Sequence, residues 1–267
     1  MNMMIFSKFR FFLLICVIGM LFSCEKVVDL NLNKTDPKIV IEALLSNELK
    51  GHQFYISRSL NFNENTTREG LTGAQVKLQD NLGNTFNFMD HGEGVYQSPR
   101  MRGVPGRTYT LTVNFQGKIF TAISKMPEQV NIDLLTQTES TFFNETRNAI
   151  EVTFKDPPNQ VNYYYFRTYV NGEPRSKLYV ESDRFTNGKE VKHVLYFDEP
   201  DLIAKDQVRV QLYTIDATVF RYLYTIDAID GSSGPPTAPA NPVSNLSSGA
   251  LGYFSASTVS EKFIVLR

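Results

Sequence analysis

Residues 108–124 read TYTLTVNFQGKIFTAIS, and this stretch decides the fold class. Its first eight residues alternate between polar and large apolar side chains, the two-residue repeat of a strand with one buried face. The apolar members are Tyr109, Leu111, Val113 and Phe115. Gln116-Gly117 then supplies a two-residue turn, and Lys118 to Ser124 gives a second strand. The stretch therefore predicts a β-hairpin.

The same pattern extends upstream from this hairpin. Residues 74–80 alternate cleanly, and the turn at residues 80–84 leads into another strand at residues 85–89. Counted from residue 39, the segment predicts about seven strands with turn signals every 8–12 residues, which is typical of a β-sandwich. We expect an N-terminal immunoglobulin-like β-sandwich domain over residues 38–127.

Residues 128–267 predict a second, β-rich domain with one helix. Asn171-Gly172 is a strong hairpin turn, and residues 250–254 and 263–266 have the pattern of two closing strands. The helix is expected near residues 217–229, where apolar side chains recur every three or four residues. Thr214 and Asp216 are candidate N-caps, and Gly231 is a candidate stop. The predicted fold class is thus mainly all-β.

The N-terminus has the pattern of a bacterial lipoprotein signal. Lys8 and Arg10 precede a short apolar run, residues 11–22, which is shorter than the roughly 20 residues of a membrane-crossing helix. The run ends in Leu21-Phe22-Ser23-Cys24, which resembles a lipobox. We expect a signal peptide over residues 1–23, lipidation at Cys24 and a lipidated tether over residues 24–37. A plain secretory signal and a short N-terminal anchor are the alternatives.

Composition argues against several functions. A net charge of −1 gives no basic face for nucleic acid. Two cysteines and three histidines are few for a zinc site, so we expect no metal and no cofactor. The histidines, His52, His91 and His193, lie far apart in the sequence without a nucleophile motif nearby. We expect them at the surface, and we expect no enzymatic activity.

Aromatic residues crowd residues 163–169, which read YYYFRTY. Strand alternation places Tyr163, Tyr165 and Tyr169 on one face, and Tyr164 and Phe166 on the other. Tyrosines on a sheet face form protein–protein hot spots or stack on sugars, but they also pack across strands. Together with Tyr253 and Phe254, they are a candidate binding surface or a packing surface, and the sequence leaves both open.

Four segments together resemble a family of Bacteroidota outer-membrane lipoproteins that carries a domain of unknown function. They are the lipobox, the SRSL of residues 57–60, residues 94–111 with RGVPGRTYTL, and residues 241–254 with NPVSN and GALGYF. Members of this family are often encoded beside TonB-dependent receptors. The resemblance implies an accessory role to an outer-membrane β-barrel transporter, on either the periplasmic or the cell-surface side. A structural or adhesive envelope module is the alternative.

Overall fold

The computed structural model describes residues 36–60, 69–142, 145–197, 200–230 and 242–267. The predicted signal peptide, Cys24 and nearly all of the tether lie outside the described residues. The first eight strands run from residue 39 to residue 125: β1 (Ile39–Ser46), β2 (Gln53–Arg58), β3 (Glu69–Gly70), β4 (Gln75–Asp80), β5 (Thr85–Asp90), β6 (Val95–Gln97), β7 (Thr108–Phe115) and β8 (Lys118–Lys125).

The second half of the chain contributes eight more strands and the helix α1. In chain order these are β9 (Ile132–Phe142), β10 (Glu145–Lys155), β11 (Tyr163–Val170), β12 (Glu173–Pro174), β13 (Tyr179–Ser182), β14 (Glu190–Tyr196), β15 (Gln207–Ile215), α1 (Ala217–Asp230) and β16 (Leu251–Val265). The prediction of a mainly β fold with a helix near residues 217–229 is confirmed.

The hairpin predicted from residues 108–124 is present as β7 and β8. The two strands pair antiparallel, with Phe115 opposite Lys118 across the turn. Gln116 and Gly117 have φ values of 50° and 80°, as a two-residue hairpin turn with both central residues in the left-handed region requires. The four apolar side chains of β7 are all buried, so the alternation in the sequence reports the buried face.

The strands form two sheets. A 13-stranded sheet runs in the order β12-β11-β15-β16-β1-β2-β6-β5-β4-β7-β8, with β13 also paired to β11 and β3 to β2. A three-stranded sheet has the order β14-β10-β9. The large sheet is continuous because β16 is long: residues 251–257 pair parallel with β1, and residues 258–265 pair antiparallel with β15.

The described residues form two large hydrophobic cores. The first draws on residues 39–126 and on the segment 246–256, and the second on residues 130–212 with Ile264 and Leu266. The domain boundary at residue 127 stays a prediction: the first core draws on residues from both sides of it, and β16 continues from one core to the other. Residues 250–254 and 263–266 were expected to form two closing strands, and the structure joins them in the single strand β16.

One glycine makes the junction between β1 and β16 possible. Gly252 has a φ of 91°, and a Cβ on it would lie 2.0 Å from the carbonyl oxygen of Ile41. Only a residue without a side chain brings the two backbones this close.

The helix α1 begins directly after β15. Asp216 Oδ1 accepts the backbone N–H groups of Thr218 and Val219 at 2.9 and 3.0 Å, so it is the N-cap, and its other carboxylate oxygen accepts the Ser124 hydroxyl. Val219 and Leu223 are buried in a third hydrophobic cluster, against Tyr213 and Ile215 of β15. The apolar stripe of the helix thus covers part of the large sheet.

Candidate binding surface

The tyrosines predicted as a candidate site lie on the sheet face that carries α1. Along β11, Tyr164 and Phe166 are buried in the second core, whereas Tyr163, Tyr165 and Tyr169 are partly buried on the opposite face. Their spacing of two and four residues produces this separation. The strand alternation inferred from the sequence is therefore the alternation in the structure.

Pairing with β15 brings a second set of polar and aromatic residues beside these tyrosines. Tyr213 lies opposite Tyr165, Gln211 opposite Arg167, and Arg209 opposite Tyr169. Residues directly opposite on an antiparallel pair share a face, so all of these side chains project on the same side. We call the set Tyr163, Tyr165, Arg167, Tyr169, Arg209, Gln211, Tyr213 and Tyr253 the tyrosine face.

A hydrogen-bonded network fixes the polar part of the tyrosine face. The hydroxyls of Tyr213 and Tyr169 donate to Gln211 Oε1 at 3.0 and 3.4 Å, and Gln211 Nε2 donates to Glu261 Oε2 at 2.7 Å. Arg209 Nη1 lies 3.5 Å from the same Glu261 oxygen, and its guanidinium carbon lies 3.7 Å from the centre of the Tyr169 ring. This geometry combines an ion pair with a cation–π contact, which holds Tyr169 in place.

Ring stacking orders the part of the tyrosine face nearest α1. Tyr163 stacks on Phe220 of the helix with ring centres 4.7 Å apart, and Tyr253 lies 5.2 Å from Tyr222. Tyr165 stacks on its cross-strand neighbour Tyr213 at 5.8 Å. Such aromatic pairs are worth about 0.5–1.5 kcal/mol each beyond their buried area. These rings are consequently packed in the hydrophobic cluster that joins the helix to the sheet.

Three tyrosines and one arginine of the face have shifted pKa values. Burial raises the pKa of Tyr165, Tyr213 and Tyr253, so their hydroxyls stay neutral and protonated. Burial also lowers the pKa of Arg167, but the neighbouring tyrosine hydroxyls, Tyr165 foremost, outweigh it and the net shift is upward. Arg167 is itself exposed and always charged. The face therefore presents the exposed Arg167 and partly buried tyrosine rings, whereas Tyr213 and Gln211 are buried beneath them.

Phe254, grouped with the tyrosines in the sequence, lies on the other side of the sheet. It is fully buried in the first core, 6.1 Å from the ring centre of Phe54. Neighbours in a strand point to opposite faces, so Tyr253 and Phe254 could not share a surface. The structure thus brings the four predicted tyrosines together on one side of the sheet and leaves Phe254 in the core.

Four members of the face were not predicted from the sequence: Arg167, Arg209, Gln211 and Tyr213. Arg167 is two residues from both Tyr165 and Tyr169, so strand alternation in the sequence already places it on the same face. Arg209, Gln211 and Tyr213 lie 40 or more residues from the β11 residues that they pair with, and only the pairing of β11 with β15 makes them neighbours. Nothing local in the sequence reports that pairing.

The histidines differ from the expectation of three surface side chains. His52 is buried, with Nε2 3.1 Å from the carbonyl oxygen of Met101 and Nδ1 3.5 Å from the backbone nitrogen of Ser46. Since Nε2 donates to the carbonyl, Nδ1 accepts, and burial lowers the pKa of His52. The surface prediction is wrong for this residue, because its ring turns inward to satisfy backbone groups.

His193 is also largely enclosed. It stacks on Phe166 with ring centres 5.0 Å apart, and its Nδ1 lies 3.5 Å from Glu181 Oε1. Burial lowers the pKa of His193 to about 4 and raises that of Glu181, so each environment disfavours the charged form of its residue. The contact is thus with a neutral imidazole at neutral pH, rather than an ion pair.

The described residues contain neither a metal-binding cluster nor a membrane-spanning helix. No group of three or more histidine, cysteine, aspartate and glutamate side chains there is placed to hold a metal ion. In the same part of the chain, no helix combines the length and apolar character needed to cross a membrane.

The fold and the face define a mainly β protein in which one amphipathic helix and a tyrosine-rich patch share one side of a large sheet. The chain belongs to the family described as a domain of unknown function, DUF4249, whose model matches residues 25–263. The match includes the first core, the helix, the whole tyrosine face and the second core except Ile264 and Leu266. No curated protein shows a significant match to the chain.

Proposed function

We propose that this chain is a lipid-anchored accessory protein of the outer membrane, which acts beside a TonB-dependent transporter and binds its partner or cargo through the tyrosine face. The observation that carries the proposal is the composition of that face. Tyrosine and arginine are among the residues most enriched at binding hot spots, because they combine contact area with hydrogen-bond donors. Here a preformed network and ring stacks already hold them in place.

The anchor comes from the N-terminal sequence. A diacylglyceryl thioether on Cys24 supplies two chains, an acylated amine adds a third, and stable membrane binding needs at least two. Bacteroidota lipoproteins resembling this chain are often encoded beside TonB-dependent receptors, and this neighbourhood supports the choice of partner. A protein held at the membrane beside a barrel needs only modest affinity, since tethering raises the effective concentration of each for the other.

The chemistry of the face favours binding over catalysis. The exposed guanidinium of Arg167 and the partly buried tyrosine rings orient a bound molecule by hydrogen bonds and stacking. The ordering of these groups before binding lowers the entropic cost of association. Partner recognition is therefore the role for which the described residues of the face are best suited.

Membrane anchoring is tested by metabolic labelling. Cells expressing the wild-type chain or Cys24→Ala are grown with radiolabelled palmitate and fractionated. We expect label in the wild-type protein and none in the variant. The variant should also be absent from the envelope fraction. A Cys24→Ala chain that sediments with envelopes as the wild type does would refute the anchor.

Partner binding is tested by co-purification from detergent extracts. We expect a TonB-dependent β-barrel protein to be recovered with the wild-type chain, and its recovery to fall about tenfold with Arg167→Ala, a loss of about 1.4 kcal/mol. Arg102→Ala, which removes an exposed arginine from a loop far along the sequence, is the matched control and should leave recovery unchanged. Equal recovery with both variants would exclude the tyrosine face, and recovery of this chain always alone would exclude the partner. A deletion strain with normal uptake and altered attachment would favour the adhesive alternative.

A further inference from the structure

A pocket opens at the end of the first core where β1 begins, and we call it the core mouth. Its volume is about 360 Å³. Its lining residues include Pro37 before β1, Ile39 at the start of β1, Arg58 at the end of β2, and Phe115, Lys118 and Phe120 of the β7–β8 hairpin. Since β1 and β8 both contribute side chains to the first core, the pocket is the opening of that core to its surroundings.

The floor of the core mouth is apolar. Phe115 and Phe120 are 8% and 1% exposed and belong to the first core, and Ile39 packs against the same cluster. Covering apolar surface of this kind with another apolar group is favourable, because it removes that surface from water. The floor therefore favours a ligand with a hydrocarbon part.

A cation lies at the rim of the core mouth. Lys118 is exposed, and its ammonium lies 5.2 Å from the centre of the Phe120 ring. Its hydrocarbon stem thus follows the apolar floor while its charge stays at the surface. Within the part of the chain that the structure describes, this ammonium takes part in no salt bridge. Arg58 already pairs with Glu69 at 3.6 Å, so Lys118 is the cation that the core mouth offers to an anionic group.

The core mouth also lies where the chain enters the described fold. The described residues begin at Asp36, directly before Pro37 in the wall of the pocket. Cys24, the predicted site of lipidation, precedes Asp36 by 12 residues. A chain of that length spans at most about 40 Å when it is fully extended. The anchor of the proposed function would therefore keep this pocket within about 40 Å of the bilayer surface.

We propose that this end of the molecule rests on the membrane and that the core mouth binds a phospholipid of the leaflet that holds the anchor. The Lys118 ammonium pairs with the lipid phosphate, and the glycerol and upper acyl carbons contact Ile39, Phe115 and Phe120. Lysine side chains close to a bilayer surface are attracted to its anionic headgroups, so the charge and the apolar floor match the two parts of the lipid. This contact rests on the lipid anchor of the proposed function and adds the orientation of the chain on the bilayer.

Fluorescence quenching by lipid measures which end of the chain meets the bilayer. The lipidated full chain with Ile119→Cys is labelled with bimane and reconstituted into phosphatidylethanolamine–phosphatidylglycerol vesicles, with or without bromine-substituted acyl chains. Cys24 carries the lipid and Cys16 belongs to the predicted signal peptide, so position 119 is the site of labelling. Ile119 is 54% exposed and directly follows Lys118.

Leu82→Cys is the matched reporter at the opposite end of the same strands. Leu82 is 66% exposed and follows Asp80, which pairs with Tyr109, whereas Lys118 pairs with Phe115. These two ends of β7 lie about 20 Å apart along the strand. We expect quenching at position 119 to exceed that at position 82 at least about twofold, because only a label within about 10 Å of the headgroup–acyl boundary meets the bromines.

A charge reversal at Lys118 tests the phosphate contact. Lys118→Glu should reduce quenching at position 119 to the level at position 82, because a carboxylate there repels the headgroups. Lys125→Glu makes the same change in charge at the other end of β8, where the lysine is also exposed, and should leave quenching at position 119 unchanged. The lipid holds every variant on the vesicles, so a loss of quenching reports a change in orientation.

The outcomes separate this contact from the proposed function. A lipid-labelled chain that does not bind the vesicles refutes the anchor. A chain that binds the vesicles but is quenched equally at positions 119 and 82 keeps the anchor and overturns the contact at the core mouth. Equal quenching in the Lys118→Glu and Lys125→Glu chains overturns the role of the lysine and, with it, the phospholipid as the ligand.

Discussion

Replacing His193 with phenylalanine should change how the stability of the protein depends on pH. The imidazole is 20% exposed, stacks on Phe166 and has a folded-state pKa of about 4 against an ordinary value of 6.5. Between these values the unfolded chain binds a proton that the folded chain does not. The free energy of unfolding therefore falls as the pH falls from 6.5 to 4, and the stabilising effect of the neutral form is fully present only above 6.5.

The size of the effect follows from the shift. One pKa unit corresponds to about 1.36 kcal/mol, so the shift of His193 makes the wild-type protein about 3 kcal/mol less stable at pH 4 than at pH 7 through this group alone. His193→Phe keeps the ring stack on Phe166 and removes the titrating group. Relative to the wild type, the variant should gain about 3 kcal/mol on acidification.

Urea denaturation monitored by tyrosine fluorescence, between pH 7.5 and pH 4, measures this difference, since the chain has 13 tyrosines and no tryptophan. The adjacent Glu181 works in the opposite direction, because burial raises its pKa and its protonation stabilises the folded state in acid. Repeating the comparison in a Glu181→Gln background isolates the histidine. A difference in unfolding free energy between the wild-type and His193→Phe chains that is constant across this pH range would refute the reasoning.

Three further changes test the fold. Gly252→Ala should lower the free energy of unfolding by at least about 3 kcal/mol in urea denaturation, because the new Cβ would collide with the Ile41 carbonyl at a positive φ. A loss under about 1 kcal/mol would argue against the close packing of β1 on β16. Asp216→Ala should cost about 1 kcal/mol through loss of the N-cap, with Asp216→Asn largely restoring it in the same assay. Asp80→Ala should cost about 3 kcal/mol, since its carboxylate pairs with Arg107 at 2.7 Å. Burial raises the pKa of Asp80, but its hydrogen bonds outweigh burial and the net shift is downward. The contribution of Asp80 to the free energy of unfolding is therefore present above about pH 4 and disappears in acid. A difference in unfolding free energy between the wild type and Asp80→Ala that grows below about pH 4 would contradict this.

Local patterns in the sequence predicted the elements that form through interactions between nearby residues. The alternation before Gln116-Gly117 predicts both the hairpin and its buried face, and the turn geometry agrees with the residue types. The recurrence of apolar residues every three or four positions after Asp216 predicts α1, and Asp216 accepts the backbone N–H of Val219 as the predicted N-cap. In each case, the side chains that define the element lie within a few residues of each other.

Long-range pairing accounts for what the sequence did not reveal. The segment 251–265 has the apolar character of a strand at each end and small polar residues between, so it reads as two strands until β1 and β15 are seen on either side of it. The same holds for Tyr213, which joins Tyr165 only through the pairing of β15 with β11. The buried position of His52 depends on the carbonyl of Met101, 49 residues away.

Cross-linking in intact cells tests the central claim most directly. Phe263 is 66% exposed and lies opposite Arg209 in the register of β16 with β15, so a photoreactive amino acid there samples the tyrosine face without altering its network. The account predicts a cross-link to a TonB-dependent outer-membrane β-barrel from position 263, and none from the exposed position of Met89 on β5. No cross-link to a barrel from position 263, or equal cross-linking from both positions, would contradict it.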